Sequence, residues 1–149
     1  MPSPHSPIWQ ARFLALAHHC ANWSKDPSTQ VGAVVVGQTR NLVAFGYNGF
    51  PPGIADSPER LAERQVKYAL VRHAEVNAIS NAGFAPVYLY STHFPCIRCA
   101  VDIVAAGTIR HVIAPLPVEY AERWREDVAR AQALFQEAGI TTGVPHGNP

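Results

Sequence analysis

Four residues in this chain have the types and the spacing for metal-assisted hydrolysis: His73, Glu75, Cys96 and Cys99. They fall in two short motifs, His73-Ala74-Glu75 and Pro95-Cys96-Ile97-Arg98-Cys99, with twenty residues between Glu75 and Cys96. One imidazole and two thiolates close three corners of a tetrahedral zinc site and leave the fourth to water. A purely structural zinc takes four protein ligands. Cys96 and Cys99 are three apart and share one face of a helix. Glu75 lies about 200° round a regular turn from His73, so its carboxylate is not a second ligand from the same face. It is placed instead to move protons at the metal-bound water. A lone C-x-x-C also fits a redox pair or half of a zinc knuckle. No second C-x-x-C and no spaced histidine pair is present to complete a knuckle. His18, His19, His93, His111 and His146 lie outside the spacing and read as surface or core histidines.

These side chains need elements to hold them. Both motifs sit where a loop enters a predicted helix, His73 to Ala82 and Cys96 to Ala106, closed by Gly83 and Gly107. Free N–H groups and positive potential at helix N-termini favour the thiolate that zinc requires. Upstream, Ser6-Pro7 starts a helix whose Trp9, Phe13, Leu16, Cys20 and Trp23 recur on one face, ending at Asp26-Pro27. Val31 to Val36 is a β-branched run expected to be a strand buried on both faces. Leu42 to Tyr47 is its antiparallel partner across a turn at Gly37 to Asn41. Asn48 to Ser57, with its prolines and glycines, is a shaped loop, and Ser57-Pro58-Glu59 starts a short helix towards Tyr68. Val87 to Thr92 and Ile109 to Ala114 are further strands. A helix over Glu119 to Ala138 presents Trp124, Val128, Ala131, Phe135 and Ala138, and Ile140 to Val144 adds a fifth strand at the sheet edge. This order gives an α/β fold, three layers with a mixed five-stranded sheet.

Composition narrows the function. At 149 residues the chain is expected to be one domain, 1–149, with loose ends at about 1–6 and 145–149. It is 48% hydrophobic and 15% charged, with a net charge of +1. A protein that tracks a phosphate backbone carries a basic stripe, and no Lys/Arg cluster of that kind is present, so a small-molecule pocket is expected and no nucleic-acid polymer. Of three cysteines, Cys20 has no sequence partner and reads as a buried, inert thiol. An odd cysteine count, no secretory pattern and no membrane-length apolar run point to the cytoplasm.

Several stretches together resemble a known family. Ser24-Lys25-Asp26-Pro27 with Gln30 to Val36, Gly46-Tyr47-Asn48-Gly49-Phe50-Pro51-Pro52-Gly53, His73 to Ile79, and Phe94-Pro95-Cys96 to Cys99-Ala100 are similar to the deoxycytidylate (dCMP) deaminases. These belong to the zinc-dependent cytidine deaminase superfamily, and the likeness runs from about Phe13 to Ile140. It implies a three-layer α-β-α, cytidine-deaminase-like fold and hydrolysis of dCMP to dUMP and ammonia, feeding thymidylate synthesis. His73, Cys96 and Cys99 would hold one Zn2+ per chain, and Glu75 would carry the protons. Substrate contacts are expected at Asn48 (sugar 3′-hydroxyl), Val31 (under the base), the Ala74 N–H (base carbonyl), the Phe94 main chain (amine), and at Lys25 and Tyr120 for the phosphate. Arg60, Arg64, Lys67, Arg72 and Arg98 are further cationic candidates by chemistry, and Arg98 departs from the family pattern inside C-x-x-C. The resemblance also implies a homo-oligomer, with Mg2+ alongside a nucleotide effector near Asn48 to Asp56. The alternatives are a deaminase of another nucleoside, base or modified nucleotide (tRNA adenosine included) and a non-catalytic nucleotide-binding relative. Near-neutral charge disfavours tRNA, the Tyr47-Asn48-Gly49 loop disfavours free bases, and Glu75 disfavours loss of catalysis.

Overall fold

The computed structural model describes residues 2–116 and 122–145. Gly32–Val36 (β1) and Val43–Tyr47 (β2) form the expected antiparallel hairpin. Tyr88–Ser91 (β3) lies antiparallel on the other side of β1, and His111–Ile113 (β4) and Thr141–Gly143 (β5) continue in parallel. The sheet is therefore mixed and five-stranded, in the order β2-β1-β3-β4-β5, with β5 at an edge as anticipated. All of β1 is buried. Alternation in a strand sends its side chains to opposite faces, so Val34 and Val36 join one core and Ala33 and Val35 the other.

Pro7–Ala21 (α1) covers the first face, where Phe13 and Ala17 pack with Val34, Val36, Tyr88, Tyr90 and Ile113. Its buried positions are Phe13, Leu14, Ala17, Cys20 and Ala21. This departs from the expected stripe: Leu16 and Trp23 are exposed, at 36% and 46%. The reason is backbone proximity. A Cβ on Gly32 would lie 1.9 Å from the Ala17 carbonyl oxygen, so the contact line runs through the small residues Ala17 and Ala21. Trp23 lies beyond the helix end and packs edge-on against Phe45 and Tyr47. Cys20 is fully buried, and burial raises its thiol pKa, as befits an inert cysteine.

Pro2, Ser3 and His5 make specific contacts with the sheet. The Pro2 and Ser3 carbonyls accept from the His111 ring and the Tyr88 hydroxyl, each at 2.7 Å, and His5 stacks on Tyr88 at 3.9 Å. They lie against β3 and β4, beside the contact that α1 makes there.

On the opposite face lie Ala74–Asn81 (α4), Ile97–Ala105 (α5) and Glu122–Glu137 (α6), whose Ala78, Ile103 and Phe135 share a core with Val35, Leu89 and Val112. Gly107 (φ +79°) and Gly139 (φ +74°) end α5 and α6 in the left-handed conformation. Gly83 does not play that part: α4 stops at an extended Ala82. The short helix after Ser57 is two helices, Pro58–Ala62 (α2) and Arg64–Leu70 (α3), broken where Glu63 is extended. Among the described residues, no helix is long and apolar enough to cross a membrane.

Candidate active site

β1 runs antiparallel to both neighbours, so the start of β1 and the ends of β2 and β3 meet at one rim of the sheet. There Gly32 pairs with Tyr47, and Ala33 with Ser91. Asn48 and the 92–96 loop follow at that rim. His73 is the N-cap of α4 and Cys96 the N-cap of α5, so both motifs open helices as the sequence predicts. The His73 ring is not consumed in capping its own helix, since no side-chain cap bond forms there.

The fold brings the three ligand types together. His73, Cys96 and Cys99 offer atoms that all lie within 4.8 Å of one another. Nδ1 of His73 is 3.1 Å from Sγ of Cys99 and 3.6 Å from Sγ of Cys96. Bonds of about 2.0–2.3 Å to a tetrahedral zinc place neighbouring ligand atoms about 3.5–3.8 Å apart. One nitrogen and two sulfurs at these separations, with no fourth protein ligand among the described residues, fit a zinc ion that keeps one position open.

The electrostatics agree. The Cys96 thiol is held down to about 4 by the hydrogen bond from Cys99, and further by His73, against the effect of burial. Cys99 is pushed the other way by its shared hydrogen bond with Cys96, by burial and by the charge of Glu75. A cation between the sulfurs lifts this conflict, because coordinating thiols are deprotonated outright. His73 is raised, chiefly by its hydrogen bond to Cys96.

Glu75 is buried at 4% exposure and borders the same pocket. Its Oε1 accepts from the Ser91 hydroxyl at 3.3 Å, and Cys99 Sγ approaches Oε2 at 3.7 Å. Burial raises its pKa above the ordinary carboxylate value. A carboxyl so placed, with its pKa raised, suits the uptake and return of a proton.

The pocket holds about 400 Å³ and is lined by His73, Glu75 and Cys96 together with Val31, Phe94, Asn48, Asp26, Ser28, Thr29 and Lys67. That is the size of a small-molecule site. A larger depression of about 790 Å³ lies at the other end of the hairpin around Trp9 and Arg40, remote from the metal ligands, and volume alone does not make it the site of chemistry.

Residues 7–115 match the family described as "Cytidine and deoxycytidylate deaminase zinc-binding region". The chain belongs to this deaminase family. It is 41% identical over 135 residues to an uncharacterized deaminase in the luxG 3′ region of Aliivibrio fischeri, spanning 89% of this chain and 90% of the relative. Mouse deoxycytidylate deaminase is 41% identical over 141 residues, covering 89% of this chain and 77% of the mouse protein. The human enzyme is 39% identical over the same span. Among solved structures, dCMP deaminase from the cyanophage S-TIM5, in complex with dCMP and dUMP, superposes with a TM-score of 0.74. It is 24% identical and covers 95% of this chain and 99% of that one, a likeness of fold.

Within this deaminase-family site, Val31, Ala74 and Phe94 line the pocket. Asn48 also borders it, but its amide is engaged at both ends. Oδ1 accepts the Val31 N–H at 2.8 Å, while Nδ2 donates to the Thr29 carbonyl at 2.9 Å and reaches towards Asp26 at 3.5 Å. Asn48 thus fixes the loop from Asp26 to Val31 in addition to bordering the cavity. Replacing it with aspartate sets a second carboxylate against Asp26 and a carbonyl. We expect Asn48→Asp to lose about 2–3 kcal/mol of stability, more than Asn48→Ala loses. Matching urea melts for the two variants would contradict this account.

Lys25 lies outside this pocket. Its ammonium pairs with Asp56 at 3.1 Å, is largely exposed, and borders a separate depression with Pro58 and Leu61. Burial alternates along this stretch: Ser24 and Asp26 are buried and Lys25 between them is exposed. Tyr120 falls outside the described residues. Arg60 donates to the Ala55 carbonyl, Arg64 lies over Tyr68, Arg72 bonds Ser80, and the exposed Arg98 does not border the cavity. The pocket residues that sequence reasoning did not assign are Asp26, Ser28, Thr29, Tyr68, Val71, His93 and Trp124, together with Lys67, one candidate among several. The available signal was that Lys67 stands six residues before His73, on the segment leading into the metal motif.

Proposed function

We propose that this protein is a zinc-dependent dCMP deaminase, hydrolysing dCMP to dUMP and ammonia and so supplying deoxyuridylate for thymidylate synthesis. The observation that carries this is the His73–Cys96–Cys99 cluster with buried Glu75 beside it, opening on one nucleotide-sized pocket. About 40% identity to named deoxycytidylate deaminases across most of the chain supports the choice of substrate.

His73, Cys96 and Cys99 would hold one zinc per chain, and when bound it would supply a water acidic enough to ionise near neutral pH. Glu75 accepts the proton that the attacking water gives up and delivers it to ring N3. It then takes the second proton of that water from the new hydroxyl on C4 and passes it to the departing amine, so C4 becomes a carbonyl, water is consumed and ammonia leaves. Val31 and Phe94 wall the base, and the Ala74 N–H and Phe94 main chain orient its carbonyl and amine. The whole chain acts as one catalytic unit, in the cytoplasm and as a homo-oligomer, by the family likeness. Magnesium enters this reading only with a nucleotide effector at the Asn48 to Asp56 loop.

The test is ammonia release from dCMP, deoxycytidine, dCTP, CMP and cytosine, with dCTP or dTTP plus magnesium as effector arms. dCMP is expected to react fastest. No ammonia from dCMP, or faster release from cytosine or deoxycytidine, overturns the substrate assignment.

A further inference from the structure

A nucleotide monophosphate needs a cation at the end of the pocket away from its base. Among the described residues lining this pocket, Lys67 is the one lysine or arginine. It stands on α3, 11% exposed at its side chain, and lines the pocket together with Asp26, Ser28 and Thr29. Its Nζ donates to Oδ1 of Asp26 at 3.3 Å and to the Ser28 hydroxyl at 2.7 Å. An ammonium has three donors, so one is left after these two contacts. The Asp26 carboxylate is not sustained by Lys67 alone. Burial would raise its pKa, yet it is held below the ordinary range by the Ser28 and Thr29 N–H groups, the Ser28 hydroxyl and Lys67.

Resting on the dCMP reading above, we infer that Lys67 is the specificity-determining cation that takes the 5′-phosphate, with the Ser28 hydroxyl beside it. The Asp26 and Ser28 contacts hold the ammonium in place before the nucleotide arrives, which limits the side-chain entropy lost on binding. Lys25 has no part in this, because its charge lies in another depression against Asp56.

The competing role for Lys67 is structural, a bridge from α3 to the loop before β1, and the experiment separates the two. kcat/KM is measured for dCMP and deoxycytidine in zinc-loaded wild type, Lys67→Met, Lys67→Arg and Lys25→Met. A charge-assisted contact is worth about tenfold to a hundredfold in affinity. The ratio of dCMP to deoxycytidine is expected to fall by about that factor in Lys67→Met, mostly through KM for dCMP. Lys67→Arg recovers most of the ratio, and Lys25→Met keeps it. Binding of dUMP against deoxyuridine, followed by calorimetry, should show the same loss. A Lys67→Met protein in which both substrates decline in parallel, or whose ratio is unchanged, overturns the phosphate role while leaving the dCMP reading intact. A wild type that deaminates neither substrate overturns the dCMP reading, and the Lys67 assignment with it.

Discussion

Glu75→Ala is expected to bind zinc at the wild-type level and to lose dCMP turnover by about three to four orders of magnitude, within the range supplied by a positioned general acid–base. The geometry separates the two properties. The donors that fit zinc are His73, Cys96 and Cys99, and Glu75 is not needed to complete them. Its Oε2 lies 3.7 Å from Cys99 Sγ and its Oε1 3.3 Å from the Ser91 hydroxyl, so the carboxylate borders the metal position without closing it. Removing a raised-pKa carboxyl from a buried site also removes a desolvation cost, so the variant should melt no lower than wild type. Metal content by atomic absorption, a thermal melt and single-turnover ammonia release settle the matter together. Wild-type turnover in Glu75→Ala would sink the assigned mechanism. Loss of zinc along with activity would instead make Glu75 a support of the metal site.

The metal site was legible in the sequence because its residue types are rare and its order is local. His73 and Glu75 share one helix start and Cys96 and Cys99 another, and each start is marked by its own neighbours. The strands were legible for a similar reason: Val34, Val35 and Val36 form a β-branched run with no polar break. What stayed hidden depends on contacts distant in the chain. Lys67 meets Asp26 forty-one residues away, and only the packing of α3 against the loop before β1 brings them together. The family resemblance favoured Lys25 within Ser24-Lys25-Asp26-Pro27, one residue from the buried Asp26. The buried face of α1 was misjudged because periodicity weighs large side chains. Here a glycine lets two backbones approach, and alanines rather than Leu16 and Trp23 face the sheet. The N-terminal segment looked loose for want of a pattern, yet its carbonyls satisfy His111 and Tyr88.

The same close approach of backbones joins the fold to the chemistry at Gly46. A Cβ there would lie 2.4 Å from the Ala78 nitrogen, 2.6 Å from the Ala74 oxygen and 2.8 Å from the Asn77 Cβ. The first two are main-chain atoms of α4, so no side chain can swing aside. Restoring ordinary contact near 3.4 Å moves the helix by about 1 Å. α4 is also tied to β2 by Asn77 and Asn81, which donate to the Tyr47 and Phe45 carbonyls at 2.8 and 3.0 Å. Its displacement strains these bonds and carries His73 and Glu75 away from Cys96 and Cys99, which ride on a different helix. Gly46→Ala is therefore expected to cost about 3 kcal/mol and to lower Tm by about 10 °C. Turnover should fall about 100-fold, since a 1 Å misplacement of catalytic groups has that order of effect. Zinc should also be lost more readily to a chelator. Gly83→Ala is the control: its Cβ meets nothing within 4 Å and its φ is not positive, so Tm and turnover should match wild type. A lowered Tm with unchanged specific activity in Gly46→Ala would show that the strain stays in the sheet. A fall in both ties catalytic geometry to the absence of a single methyl group beneath α4.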